Sequence, residues 1–171
     1  MKRRQLIAGL AGVLLGAQGR GNNSTQSDAP PEKVRLIPDE LHIHNVGHLG
    51  DGRLFFVAPQ FYPLGGNLTW DFACSFIFDP DGHLLEHKIE FVGERNAYPD
   101  SSLAAAIDRH LGALGKPVVT DIRVRPFRVE SHTTIFGLIP RRIGYGDWRV
   151  DFLPGDTLSF YAPWEAGGYD T

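Results

Sequence analysis

The chain has 171 residues, with 20 acidic side chains against 17 Lys and Arg, and a formal charge of -3. So mild a negative balance disfavours nucleic acid and anionic membrane surfaces as partners. A single cysteine, Cys74, excludes an internal disulfide, so the fold must rest on its core.

The first stretch, MKRRQLIAGLAGVLLGAQG, opens with Lys2, Arg3 and Arg4 and then runs apolar and uncharged from Leu6 to Ala17. Ala17 and Gly19 stand third-last and last if cleavage follows Gly19, which marks residues 1–19 as a secretory signal too short to span a bilayer comfortably. The paired arginines ahead of Gln5, Leu6 and Ile7 resemble a bacterial twin-arginine leader, with Lys2 where that motif prefers serine or threonine. An ordinary general-secretion leader is the alternative. No cysteine follows the apolar run, so no membrane anchor is expected after cleavage, and loss of the three positive charges would take the net charge from -3 to -6. The expected location is the periplasm or the cell exterior.

Residues 20–33, RGNNSTQSDAPPEK, are polar and carry two prolines in series, the composition of a flexible linker. About 140 residues then remain, which suits one domain burying roughly two-thirds of its unfolded surface, here placed at 34–171. Apolar residues at alternate positions, with turn residues between the runs, make that domain mainly β. ELHIHNVG reads as a strand with Leu41 and Ile43 on one face and His42 and His44 on the other. Gly50, Asp51 and Gly52 turn the chain into RLFFVAP, its hairpin partner. NLTWDFACSFIFDPDGHLLEHKIEFVG forms a second hairpin about the turn Asp79–Gly82. Its first strand aligns Trp70, Phe72, Cys74, Phe76 and Phe78, and its second puts Leu85, Ile89 and Phe91 on one face with His87.

One helix is predicted. Asp100, Ser101 or Ser102 can cap it, Leu103, Ile107, Leu111 and Leu114 form its apolar stripe, and Gly115 before Lys116 and Pro117 ends it. His110 falls near its C-terminal end, where a partly cationic imidazole suits the helix dipole. Strands resume with VVTDIRVRPFRVE, TTIFGLIP, DWRVDFL and TLSFYAP. The order gives an α+β fold, mainly antiparallel sheet built from hairpins, with the one amphipathic helix packed on one face.

Strand-borne His42 and His44 would stand within reach of one zinc or copper ion, and His48 could join if the chain turned back at Asn45 to Gly47. The competing reading is a solvated strand face. Cys74, in line with aromatic residues on an inward face, packs as a small inert hydrophobe. Asp79 and Asp81 lack the further oxygen ligands of a calcium loop and read as turn residues. His87 reads as a core or rim histidine. No phosphate-binding glycine turn and no G-x-S-x-G elbow are present. Ser131 and His132, adjacent in a strand, would face opposite ways and could not pair. The arginines from Arg123 to Arg149 alternate with Asp121, Glu130, Asp147 and Asp151, as on a solvated face of mixed charge. The aromatic ending with Trp164 and Tyr169 reads as a segment docked on its own domain, or as a binding groove.

VGHLGDGRLFF, FIFDPDGHLLEHKI, TDIRVRPFRVE followed by IFGLIP, and the ending FYAPWEAGGYDT together resemble a family of small bacterial proteins. That family has a glycine-rich DG..FF start, an FD.DG.L.E..I hairpin, a V.PF...FGL stretch and a PWD...YDT terminus. The resemblance covers residues 41 to 171, its C-terminal signature being the most specific part. Here Glu165 replaces the usual aspartate, and the three histidines fall outside the pattern. Some members are labelled formate hydrogenlyase regulators, which implies a cytoplasmic regulator, whereas an exported protein could not act on cytoplasmic transcription. The chain is therefore expected to be an exported, non-catalytic module binding a protein or small ligand. The alternatives are a metal-binding protein or metal enzyme on the histidine pair, and the cytoplasmic regulator.

Overall fold

The computed structural model describes residues 29–99, 101–144 and 146–171, so the leader, most of the linker and the cap candidate Asp100 lie outside the described residues. The described chain is α+β as expected, and every paired strand is antiparallel. Strands β1 (Val34–Leu36), β2 (Asn45–His48), β3 (Leu54–Gly65), β4 (Leu68–Phe78) and β5 (Leu84–Glu94) precede helix α1 (Ser101–Ala113). After it come β6 (Val118–Val119), β7 (Ile122–Val124), β8 (Val129–Ser131), β9 (Thr134–Ile143), β10 (Asp147–Leu153), β11 (Ser159–Tyr161) and β12 (Tyr169–Asp170).

The strands form two five-stranded sheets, ordered β5-β4-β3-β2-β6 and β12-β11-β10-β9-β8, and a two-stranded ribbon of β1 with β7. Aromatic residues from both sheets meet between them: Phe56 lies 5.0 Å from Phe152 and Phe72 5.1 Å from Phe136, centroid to centroid. This sandwich core takes alternate residues of β4, Phe72, Cys74, Phe76 and Phe78, as their spacing requires. Helix α1 covers the other face of the first sheet, where Ile107, Leu111 and Leu114 pack on Leu49, Phe55, Val57 and Ile77. Covering on both faces explains why Phe55, Phe56, Val57 and Ala58 are all buried in succession. Alternation fails there because β3 has no wet side.

The buried side of α1 also takes in Ala106 and His110, while Leu103 stays outside the apolar cluster under the helix. The run 118–130 is not one strand but three, β6, β7 and β8, each in a different sheet. Pro126 offers no N–H for a continuous ladder, and β7 pairs instead with β1. The expected linker also ends early, since Pro31 is buried and Glu32 pairs with Arg125 at 2.8 Å. The turn at Asp79–Gly82 forms as read: the Asp79 carboxylate accepts the His83 N–H at 2.8 Å, and Gly82 N–H donates to Asp79 O at 2.9 Å. Gly82 has φ +86°, and a Cβ there would lie 2.7 Å from the Arg123 carbonyl, so β7 closes over this turn only because the residue is glycine.

Candidate functional site: a shelf on the Asp39 turn

The alternation of Leu41 to His44 does not make a strand. Asp39 Oδ1 accepts three backbone N–H groups, those of Leu41 (2.7 Å), His42 (2.7 Å) and Ile43 (3.1 Å), and Asp39 N–H donates to the Ile43 carbonyl at 2.9 Å. One carboxylate thereby gathers the backbone into a tight bend, and β2 begins only at Asn45. The bend buries Ile43 completely and leaves Leu41 74% exposed, so the two do not share a face.

The second Asp39 oxygen accepts the phenolic O–H of Tyr169 in β12. Burial pushes the Asp39 carboxyl up, but the Tyr169 hydroxyl and the three amides outweigh it and hold the group well below the usual carboxylate range. Burial and the adjacent Asp39 carboxylate push Tyr169 up to about 12. Its ring leans on Phe160 at 5.9 Å, and the imidazole of His42 stands edge-on to it at 5.9 Å and 85°. His42 Nδ1 is 3.4 Å from the phenolic oxygen. Leu41, His42, Tyr169, Asp170 and Thr171 line a shallow open groove of about 530 Å³.

The three sequence-flagged histidines are not brought together. His42 faces Tyr169, while His44 turns its Nε2–H back onto the Leu41 carbonyl at 3.1 Å. His48 sits in β2 beside a separate groove of about 280 Å³ that also holds Lys33, Asp121 and Arg123. The bend, in place of a strand, is what separates the pair. Among the described residues no group of three or more His, Cys, Asp or Glu is placed to hold a metal ion.

Trp164 is docked. It packs against the sandwich core, and its carbonyl accepts Arg35 N–H at 3.3 Å. Glu165 pairs with Arg123 at 2.5 Å, and its carbonyl accepts an Arg35 N–H at 3.0 Å. Of the two aromatic groove candidates, Tyr169 lines the groove beside His42, and Trp164 lines neither of these two grooves.

Ser131 and His132 do pair, Oγ to Nδ1 at 2.8 Å. The strand ends at Ser131, and His132 and Thr133 form a hairpin turn with φ of 49° and 61°, so opposite faces no longer apply. The His132 ring rests on Phe72 at 5.2 Å. Cys74 is fully buried, and burial pushes its thiol far up, which keeps it inert. His87 is exposed on β5. The arginines do pair with the interleaved acids, Arg128 with Glu130 and Arg149 and Arg141 with Asp151, but Asp151 is buried, so the face is not solvated throughout as expected. His110 is the largest departure. It is 2% exposed, and its Nε2–H donates to Glu90 at 3.2 Å while its Nδ1 has no partner. Burial, followed by the nearby Lys88 charge, pulls its pKa down against the pull of Glu90, so it is not a dipole-seeking cation.

Asp39 escaped the sequence reading, although Pro38-Asp39 ahead of a polar residue is a turn-starting pair. No protein-family model matches the chain, and no curated protein or solved structure matches it significantly.

Proposed function

We propose that the protein is exported and that its folded domain is a non-catalytic binding module whose contact surface is the shelf of Leu41, His42 and Tyr169. One observation carries the reading: a 74% exposed leucine is held on a bend fixed by four donors to a single carboxylate. An apolar side chain presented on a rigid backbone loses little freedom on docking, which favours recognition of another surface. The polar groups below it suit support better than proton transfer. Asp39 is ionised and Tyr169 neutral throughout the neutral range, and both oxygens of the carboxylate are engaged.

Export rests on the basic, apolar and small-residue order of positions 1–19 and on a domain that places its one thiol in the core. The residues that carry the resemblance to the small bacterial family have structural roles here: the DPDG turn lies under β7, and the PWE and YD residues dock the last segment.

Fractionation of producing cells tests export. A periplasmic product beginning at Arg20 is expected; an uncleaved cytoplasmic chain would overturn export and favour the cytoplasmic regulator. The shelf is tested by formaldehyde cross-linking in the same cells. Cross-linked species that contain a second, different protein should vanish with Leu41→Asp and persist with Asp108→Ala on the exposed helix surface; an unchanged set of these species in Leu41→Asp would refute the shelf.

A further inference from the structure

Strand β5 is the outer strand of its sheet, and among the described residues no strand pairs with its free edge. At eleven residues it is long for an edge, and such a row of unmatched backbone groups is a template for another strand. The edge also carries Phe91 at 45% exposure and Leu85 at 53%.

We propose that β5 pairs antiparallel with β5 of a second copy of this chain, about a twofold axis through Ile89, joining two five-stranded sheets into one. Side-chain charge and the length of the strand together select the register. Glu86, Lys88 and Glu90 share the face covered by the helix, and His87, Ile89 and Phe91 share the sandwich face, as their pairing with β4 fixes. A twofold axis perpendicular to the sheet keeps each side chain on its own face, so the axis must pass through a residue. Through Lys88 it would set Lys88 against Lys88 and Glu86 against Glu90. Through Glu90 it would oppose Glu90 to itself and Glu86 to Glu94. Both place like charges directly opposite, which is destabilising. Through His87 or Phe91 the pairing would span only seven residues of the strand, 84–90 or 88–94, against eleven through Ile89.

Through Ile89, Lys88 faces Glu90 twice, Phe91 covers His87 twice, Glu86 meets Val92, and no like charges are opposed. Ile89 is also the midpoint of Leu84–Glu94, so this register uses the whole strand, and the two shifts in its ladder to β4, at Leu85 and Val92, fall toward the ends of that span. Lys88 already leans toward Glu90 of its own chain, 3.7 Å away, and needs little movement to reach the partner's.

The full chain is tested by sedimentation velocity and thiol cross-linking. The native protein should sediment as a concentration-dependent dimer. Lys88→Glu, at an exposed site, should keep the circular dichroism spectrum and weaken association about ten-fold or more, because it sets carboxylates opposite Glu90 twice. Ile89→Cys should be joined into a covalent dimer by a short bismaleimide, since directly opposed Cβ atoms lie about 5 Å apart, while Asp108→Cys should not be. Cys74 is buried and does not compete. A monomer at hundreds of micromolar, a dimer indifferent to Lys88→Glu, or equal cross-linking at positions 89 and 108 would overturn the proposal.

Discussion

Asp39 and Tyr169 show how one pair of side chains can set the form of a surface. The phenol joins β12 to the bend before β2 through a hydrogen bond to a charged acceptor, a kind that contributes more than a neutral one. Tyr169→Phe should cost about 1–2 kcal/mol in urea unfolding at neutral pH. The pH dependence has a defined sign. Tyr169 has its pKa raised from 10.0 to about 12, so the stability it lends is complete below pH 10 and is lost as pH climbs toward 12. Native protein should weaken across that window more than Tyr169→Phe does. Asp39 has its pKa lowered from 3.8, so its contribution holds above that value and fades as pH falls below it. His110 also has a lowered pKa: buried and neutral between α1 and β5, it faces Lys88 and Glu90 from the strand and Arg109 from its own helix. The unfolded chain takes up the proton more readily, so stability should fall as pH drops below 6.5, and His110→Leu should flatten that dependence. Equal pH slopes in the two proteins would rule this out.

Elements were legible where local pattern and tertiary setting agree. The β4 stripe from Trp70 to Phe78, the Asp79–Gly82 turn and α1 each carry their signal within a few residues, and each forms where expected. The stretch from Leu41 to His44 alternates just as well, yet Asp39 captures three of the amides that a strand would use. Nor could alternation divide residues 118–130, because β7 finds its partner in β1, far back in the chain. The joint between β8 and β9 follows the same logic. Phe127 N–H bonds the Leu138 carbonyl at 3.1 Å, and a Cβ on Gly137 (φ +133°) would lie 2.2 Å from the Phe127 carbonyl oxygen. Gly137→Ala should therefore cost about 3 kcal/mol, read as a shift in the denaturant midpoint at unchanged slope. A loss of only a few tenths would mean the backbone crossing there is loose.

In the whole molecule, the last segment closes the structure. Trp164 packs on the core, Glu165 meets the ribbon of β1 and β7, and β12 completes the second sheet before Tyr169 reaches Asp39. Deleting residues 163–171 should abolish cooperative thermal unfolding; a domain that still melts sharply would make the segment an appendage. Of the candidate site, the sequence displayed its aromatic half in Tyr169 and its histidine in His42. The carboxylate joining them was hidden, because Asp39 and Tyr169 are distant in the chain and meet only through the fold. The claim that this shelf is the contact surface is tested most directly by replacing Leu41 with the photoreactive residue benzoylphenylalanine in the full chain and irradiating producing cells. Discrete adducts from position 41, absent when the same residue replaces Asp108, are the expected result. Adducts from position 108 but none from position 41 would contradict it.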